Sequence, residues 1–226
     1  MHEKWNPTVR WAVKNIRVTN TKENMKLIEE FLPRELKAYR NVRHRNIVLY
    51  REAFNTDSDH YIVLELVEGP NLQTELYGRG GRALPFSNRE GRCWFGQLAG
   101  AVEYLHSKNV AHRDIKLDNI LLDRQRQIVK LCDMGLATDL DMPAGTLSDT
   151  HCGSPGYSSP ELLDADRPAY NPFAADIWAL GVVLYSLLVR ELPFHCQLHH
   201  VLNPSQLPLQ GATHVFSLIL MCDLLD

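Results

Sequence analysis

Eight consecutive positions, His112 to Asn119 (HRDIKLDN), hold a His, an Arg, two Asp, a Lys and an Asn. Side chains of these types orient or abstract protons, neutralise anions and ligate hard cations. Apolar residues flank them, Val110-Ala111 before and Ile120-Leu121-Leu122 after. Polar groups that dense, fed by a helix and followed by short apolar strands, read as a loop held at the edge of a core, where catalytic groups tend to sit. The same composition alone also fits a solvated charged turn, and the rest of the chain decides between the two.

HRDIKLDN resembles the catalytic loop of protein kinases, H-R-D-x-x-x-x-N. Asp133-Met134-Gly135 begins 19 residues after Asp114 and is similar to the family's D-F-G. Glu161, 28 residues after Asp133, closes Ser159-Pro160-Glu161, similar to A-P-E. Upstream, Trp11-Ala12-Val13-Lys14 resembles the V-A-I-K strand. The motifs stand in the family's order, and the resemblance runs from about Trp11 to Phe194. Lys116, two after Asp114, is typical of the Ser/Thr branch.

The resemblance implies an α+β, bilobal protein-kinase-like fold: a small antiparallel sheet with helix C, then a larger helical lobe. It divides the chain at about 1–67, 68–194 and a divergent tail, 195–226. It implies transfer of the ATP γ-phosphate to a protein Ser or Thr with Mg²⁺. Asp114 would orient or deprotonate the acceptor hydroxyl, and Lys116 would sit on the γ-phosphate. Asn119 and Asp133 offer hard oxygens that suit Mg²⁺. Lys14 would pair with Glu35 and present its charge to the α- and β-phosphates. Leu64 would line the back of the adenine pocket, and the backbones of Glu65 and Val67 would bond the base. Asn71 falls where the family often carries a ribose-binding acid, and Leu121 belongs to the same cofactor-binding set. His112 would pack against Met134, an adaptable stand-in for the D-F-G Phe.

Arg113 is, by resemblance, held by a phosphate on the segment Asp133 to Glu161. Thr150 lies where calmodulin-dependent and AMP-activated-like kinases are phosphorylated, so an upstream kinase is an expected partner. Phosphate there can order a loop by pairing with Arg.

The elements that must position these groups are readable in outline. Arg10 to Val18 alternates like a strand. Thr19 to Arg43 has helical spacings, with Pro33 awkward inside it. Leu49–Asn55 and His60–Val67 read as an antiparallel pair. Gly78 to Leu84 reads as a connector, and a phosphate-binding loop there lacks a preceding strand. Ser87 can cap a helix with Phe95, Leu98, Ala99, Val102 and Leu105 on its buried stripe. Ile128 to Cys132 reads as a strand delivering Asp133. Ala174 to Val189 is apolar on most sides and reads as a central helix. By resemblance Asp176 on it bonds back to the catalytic loop, and this buried acid weighs against a membrane span.

The 226 residues, 45% hydrophobic, allow a real core. Net charge of −3 leaves no footprint for nucleic acid or anionic membrane. Five Cys without a C-x-x-C pair fit free thiols in the cytoplasm, with the nucleus the other candidate. The N-terminus MHEKWNPTVR does not read as a signal peptide.

The pattern breaks twice. Thirteen residues precede Lys14 and none is Gly, so the Gly-rich loop and first two strands are not found, and the expectation is truncation at both ends. Beyond Phe194 the tail cannot be aligned and contains no Arg, so Glu161 is expected to lack its partner, at roughly 3–5 kcal/mol if buried. His195, Cys196, His199 and His200 match no common zinc spacing. Two rival readings follow: a catalytically impaired kinase-like binding module or fragment, and a small-molecule kinase. Retained Lys14, Glu35, Asp114, Asn119 and Asp133 speak for an enzyme's ancestry against the first. The segment TLSDTHCGSPGYSSPE, which resembles a protein-substrate platform, speaks against the second.

Overall fold

Two arrangements of secondary structure meet where Ile47 bridges Leu131 and Lys14 reaches Asp133. The computed structural model describes residues 9–19, 21–78, 86–138, 143, 145–164 and 169–194. The glycine connector, most of which falls at 79–85, and the tail from 195 lie outside the described residues.

The first part is a three-stranded antiparallel sheet in the order β1-β3-β2, from β1 (Trp11–Arg17), β2 (Tyr50–Asn55) and β3 (Asp59–Glu65). Central β3 carries the buried run Ile62, Val63 and Leu64. In β1 the alternation turns Ile16 inward and leaves Val13 exposed, and Lys14 stands opposite Ile62. Asp59 closes the β2–β3 turn, its carbonyl accepting from Thr56 N–H at 2.8 Å.

The expected single helix from Thr19 to Arg43 is three pieces: α1 (Lys22–Lys26), a π-helical turn Leu27–Phe31, and α2 (Leu32–Asn41). The cause is Pro33, which has no N–H for the carbonyl four residues back and crowds it. The wider π turn absorbs the mismatch, with Leu32 N–H donating to the Leu27 carbonyl five residues earlier. Pro33 then sits in the first turn of α2, where no donor is needed. The α2 face carrying Leu32, Glu35, Ala38 and Tyr39 is buried, and this points Glu35 inward.

The second part is helical. It holds α3 (Leu72–Tyr77), α4 (Asn88–Ser107), the short hairpin β4 (Ile120–Leu122) and β5 (Val129–Leu131), α5 (Pro160–Leu163) and α6 (Pro172–Val189). Ser87 and Glu90 form a reciprocal capping box at the start of α4. Its buried stripe is Gly91, Trp94, Leu98, Ala101, Val102 and Leu105. This corrects the expected stripe: Phe95 and Ala99 are only half-buried, because Trp94 takes the inner position and donates Nε1–H to the Arg126 carbonyl at 2.9 Å. Leu98, Leu105, Leu117, Ile120, Leu131, Met134 and Val183 are each 1% exposed or less and form the centre of the core. Helix α6 is long and apolar enough to cross a membrane by composition, yet 61% of it is buried inside this fold, as a core helix is.

The sheet and the helical part join through residues 66–71. There a side chain on Gly69 would lie 2.3 Å from the Leu122 carbonyl, so only glycine permits this approach. Glu161 is half-exposed, so the penalty for a buried lone carboxylate does not apply to it.

Candidate active site

The HRD loop is fastened from below by α6. The buried Asp176 carboxylate accepts the backbone N–H groups of His112 and Arg113, both at 2.8 Å, and bonds His106 Nε2 at 2.9 Å. These bonds hold Arg113 at a φ of +65°, a conformation a side chain normally avoids. His112 is fully buried, its Nε2 3.0 Å from the Cys132 carbonyl, and Met134 is equally buried.

Asp114 emerges from this fixed base with both carboxylate oxygens engaged. Oδ1 accepts from the Ser154 hydroxyl at 2.9 Å. Oδ2 accepts from Asn119 Nδ2 at 2.9 Å and pairs with Lys116 Nζ at 2.7 Å. Lys116 also donates to Ser154 Oγ at 2.9 Å. The sequence reading brought Asp114, Lys116 and Asn119 together, and the structure does too. Ser154, 40 residues along, was missed. Its signal was its place in the G-S-P run before Glu161.

Across the cleft Lys14 lies between Glu35 Oε1 at 2.7 Å and Asp133 Oδ1 at 2.9 Å. Burial acts to lower the ammonium's pKa, but Glu35 and Asp133 outweigh it and hold Lys14 above its ordinary value. Burial pushes the Glu35 carboxyl up, offset only in part by Lys14. For Asp133 burial would raise the carboxyl, yet Lys14 and the Gly135 N–H bring it below the ordinary carboxylate value. Asp133 has a φ of +65°, which turns its side chain from the end of β5 into the cleft.

Beside the 66–71 connection, Leu64 is buried, and Asn71 bridges backbone to backbone with Leu121, so these two cofactor-binding candidates are neighbours. Asn71 Oδ1 caps α3 by accepting Thr74 N–H at 2.8 Å. Glu65 N–H is committed to the Leu49 carbonyl at 2.8 Å, and its carboxylate to Lys130 at 2.8 Å. Val67 N–H forms no backbone bond among the described residues.

The donor set fits Mg²⁺ with a triphosphate. Asn119 Oδ1 and Asp133 Oδ2 accept no hydrogen bond from described residues. Among the described residues no group of three or more His, Cys, Asp or Glu could cage a metal. Mg²⁺ takes one or two protein oxygens and completes its shell from phosphates and water. Lys14, anchored by two carboxylates, adds a fixed cation to the same cleft.

Arg113 does not meet Thr150. Its Nη1 donates to Ser148 Oγ at 2.9 Å and its Nε to the Leu136 carbonyl. Thr150 lies two residues on, half-buried, its hydroxyl 3.2 Å from Asp149 Oδ1. Ser148 and His106 carried no sequence signal, since each acts through a contact set by folding. Cys132 packs against the core, and burial pushes its thiol up to about 12.

A family model described as the protein kinase domain matches residues 4–210. The chain is 36% identical over 191 residues to human testis-specific serine/threonine-protein kinase 4, covering 78% of this chain and 56% of that relative. It is 39% identical over 184 residues to CBL-interacting serine/threonine-protein kinase 7 of Arabidopsis thaliana, covering 81% of this chain and 41% of the relative. With the probable serine/threonine-protein kinase HSL1 of Saccharomyces cerevisiae it shares 38% over 164 residues, 73% of this chain and 10% of the relative. The chain therefore spans little more than half, or less, of the length of these relatives.

Proposed function

Because the chain belongs to the protein kinase domain family, we propose that it transfers the γ-phosphate of ATP to Ser or Thr hydroxyls of a protein substrate. The observation that carries this reading is Lys14 held between Glu35 and Asp133, across the cleft from Asp114, Lys116 and Asn119. That set answers the needs of phosphoryl transfer, which are alignment and charge neutralisation. Lys14 steadies the α- and β-phosphates. The carbonyl of Glu65 and the N–H of Val67 take the adenine edge, between Leu64 and Leu121, with Asn71 toward the ribose. Asn119 and Asp133 would hold Mg²⁺, which when bound neutralises phosphate charge and orients the γ-phosphate.

Asp114 accepts the hydrogen bond of the incoming hydroxyl and aligns it. Lys116, already 2.7 Å from Asp114, meets the charge developing on the transferred group. Thr150 is the site through which an upstream kinase adjusts the activation segment, since phosphate there adds charge near Arg113. The three described cysteines are free thiols, which fits a cytoplasmic or nuclear setting. The convergence of all the polar groups on one cleft weighs against an impaired binding module.

Thermal unfolding with and without Mg²⁺-ATP tests the reading. A ligand bound only by the native state raises the midpoint by mass action. The expected result is a cooperative transition shifted upward by Mg²⁺-ATP, with the shift lost in Asp133→Asn. A cooperative transition that Mg²⁺-ATP leaves in place would contradict it.

A further inference from the structure

The Arg113 side chain is buried, at 9% exposure, and pairs with no carboxylate among the described residues. Its one side-chain partner among them is Ser148, itself 5% exposed. Ser148 Oγ also accepts the Thr150 N–H at 3.3 Å. The Ser148 backbone exchanges both hydrogen bonds with Tyr170, at 2.8 and 2.9 Å, and the Tyr170 hydroxyl donates to the Thr150 carbonyl at 3.3 Å. Six residues on, Ser154 donates to Asp114. Between them a side chain on Gly153 would lie 2.8 Å from the Arg113 carbonyl, so the segment runs directly against the backbone that precedes Asp114.

We propose that Ser148 is a positioning residue: its hydroxyl holds the Arg113 guanidinium and thereby docks the segment Thr146–Ser154 on the catalytic loop before any phosphate is added. The bond is charge-assisted, so one neutral oxygen does part of what a phosphate would do. Removing it leaves the buried Arg113 Nη1 and the Thr150 N–H without their acceptor at once. The Thr150 hydroxyl does not share this task, because its bond is to Asp149. Phosphate on Thr150 then tunes a segment that is already ordered. The effect on catalysis rests on the phosphotransfer reading above; the docking itself does not.

The experiment uses the full chain after phosphatase treatment. It compares the wild type with Ser148→Ala, Ser148→Thr and Thr150→Ala. Peptide phosphorylation is read as kcat and as KM for ATP, and amide hydrogen exchange is read over residues 146–154 and over α4. Ser148→Ala should lower kcat about tenfold, the worth of one hydrogen bond to a charged group, with KM for ATP within about twofold. Exchange over 146–154 should rise by about the same factor with α4 unchanged. Ser148→Thr should restore both, and Thr150→Ala should match the wild type. Unchanged exchange in Ser148→Ala overturns the proposal, as does an equal loss in Thr150→Ala. Faster exchange throughout α4 also overturns it, by showing a general structural role. If no form transfers phosphate, the phosphotransfer reading fails alone, and the exchange data still decide whether Ser148 docks the segment.

Discussion

Lys14 is the residue on which the two halves of the site depend, since it bonds Glu35 on α2 and Asp133 after β5. Lys14→Ala would leave the Glu35 carboxylate, 3% exposed, without its partner. The expected cost is on the order of 1–3 kcal/mol, measured by denaturant unfolding, together with loss of the Mg²⁺-ATP shift. The pKa directions fix the pH dependence. Asp133 is lowered in the folded chain despite burial, through Lys14 and the Gly135 N–H, so its stabilisation is complete above its unfolded value and is lost as pH falls through the folded one. Lys14 is raised, so its contribution is complete below its unfolded value and lost only as pH climbs through the folded one. Glu35 is raised by burial and opposes Asp133 on the acid side, contributing most when protonated. Between about pH 5 and pH 3, Asp133→Asn should therefore lose less stability than the wild type, in denaturant midpoints taken at each pH. An equally steep loss in the variant would remove Asp133 from the linkage.

Helix α6 sets the catalytic loop through a single side chain. Asp176→Ala removes the acceptor of two buried backbone N–H groups and of His106, and should cost about 3–5 kcal/mol in denaturant unfolding. Behind the loop, Met134 is fully buried against the core. Met134→Ala should cost about 2–5 kcal/mol, whereas Met134→Leu, near it in volume, should stay under about 1.5. Thermal or chemical denaturation of both separates packing from chemistry. The bond of Asp176 to the loop was expected from the family resemblance of its helix, and burial added only that such an acid needs donors. Its bond to His106 was not, since that pair depends on how α4 and α6 cross. The π turn before Pro33 was half legible: the residue that disrupts the helix was visible, but the chain's way of absorbing it was not. The one-position error in the α4 stripe has a similar origin, as Trp94 is turned inward by a carbonyl in the β4–β5 loop.

At the scale of the whole molecule, the family resemblance carried by a few short motifs implied the architecture: a small sheet with its helix, then a helical body, with the site between them. Asp114, Lys116 and Asn119 lie within six residues of one another and needed only a loop to meet. Lys14 and Asp133 are 119 positions apart and meet only because β1 and the residues after β5 face one cleft. The contacts that escaped sequence reasoning, Ser148 on Arg113 and Ser154 on Asp114, belong to a segment whose path is decided by tertiary packing rather than by local propensity. The most direct test of the account follows label from γ-labelled ATP into Ser/Thr peptides, comparing the wild-type chain with Asp114→Asn in the presence of Mg²⁺. The account predicts label on Ser and Thr with the wild type and a rate at least about a hundredfold lower in the variant. Equal transfer by both proteins, or none by a wild-type chain that binds Mg²⁺-ATP, would contradict it.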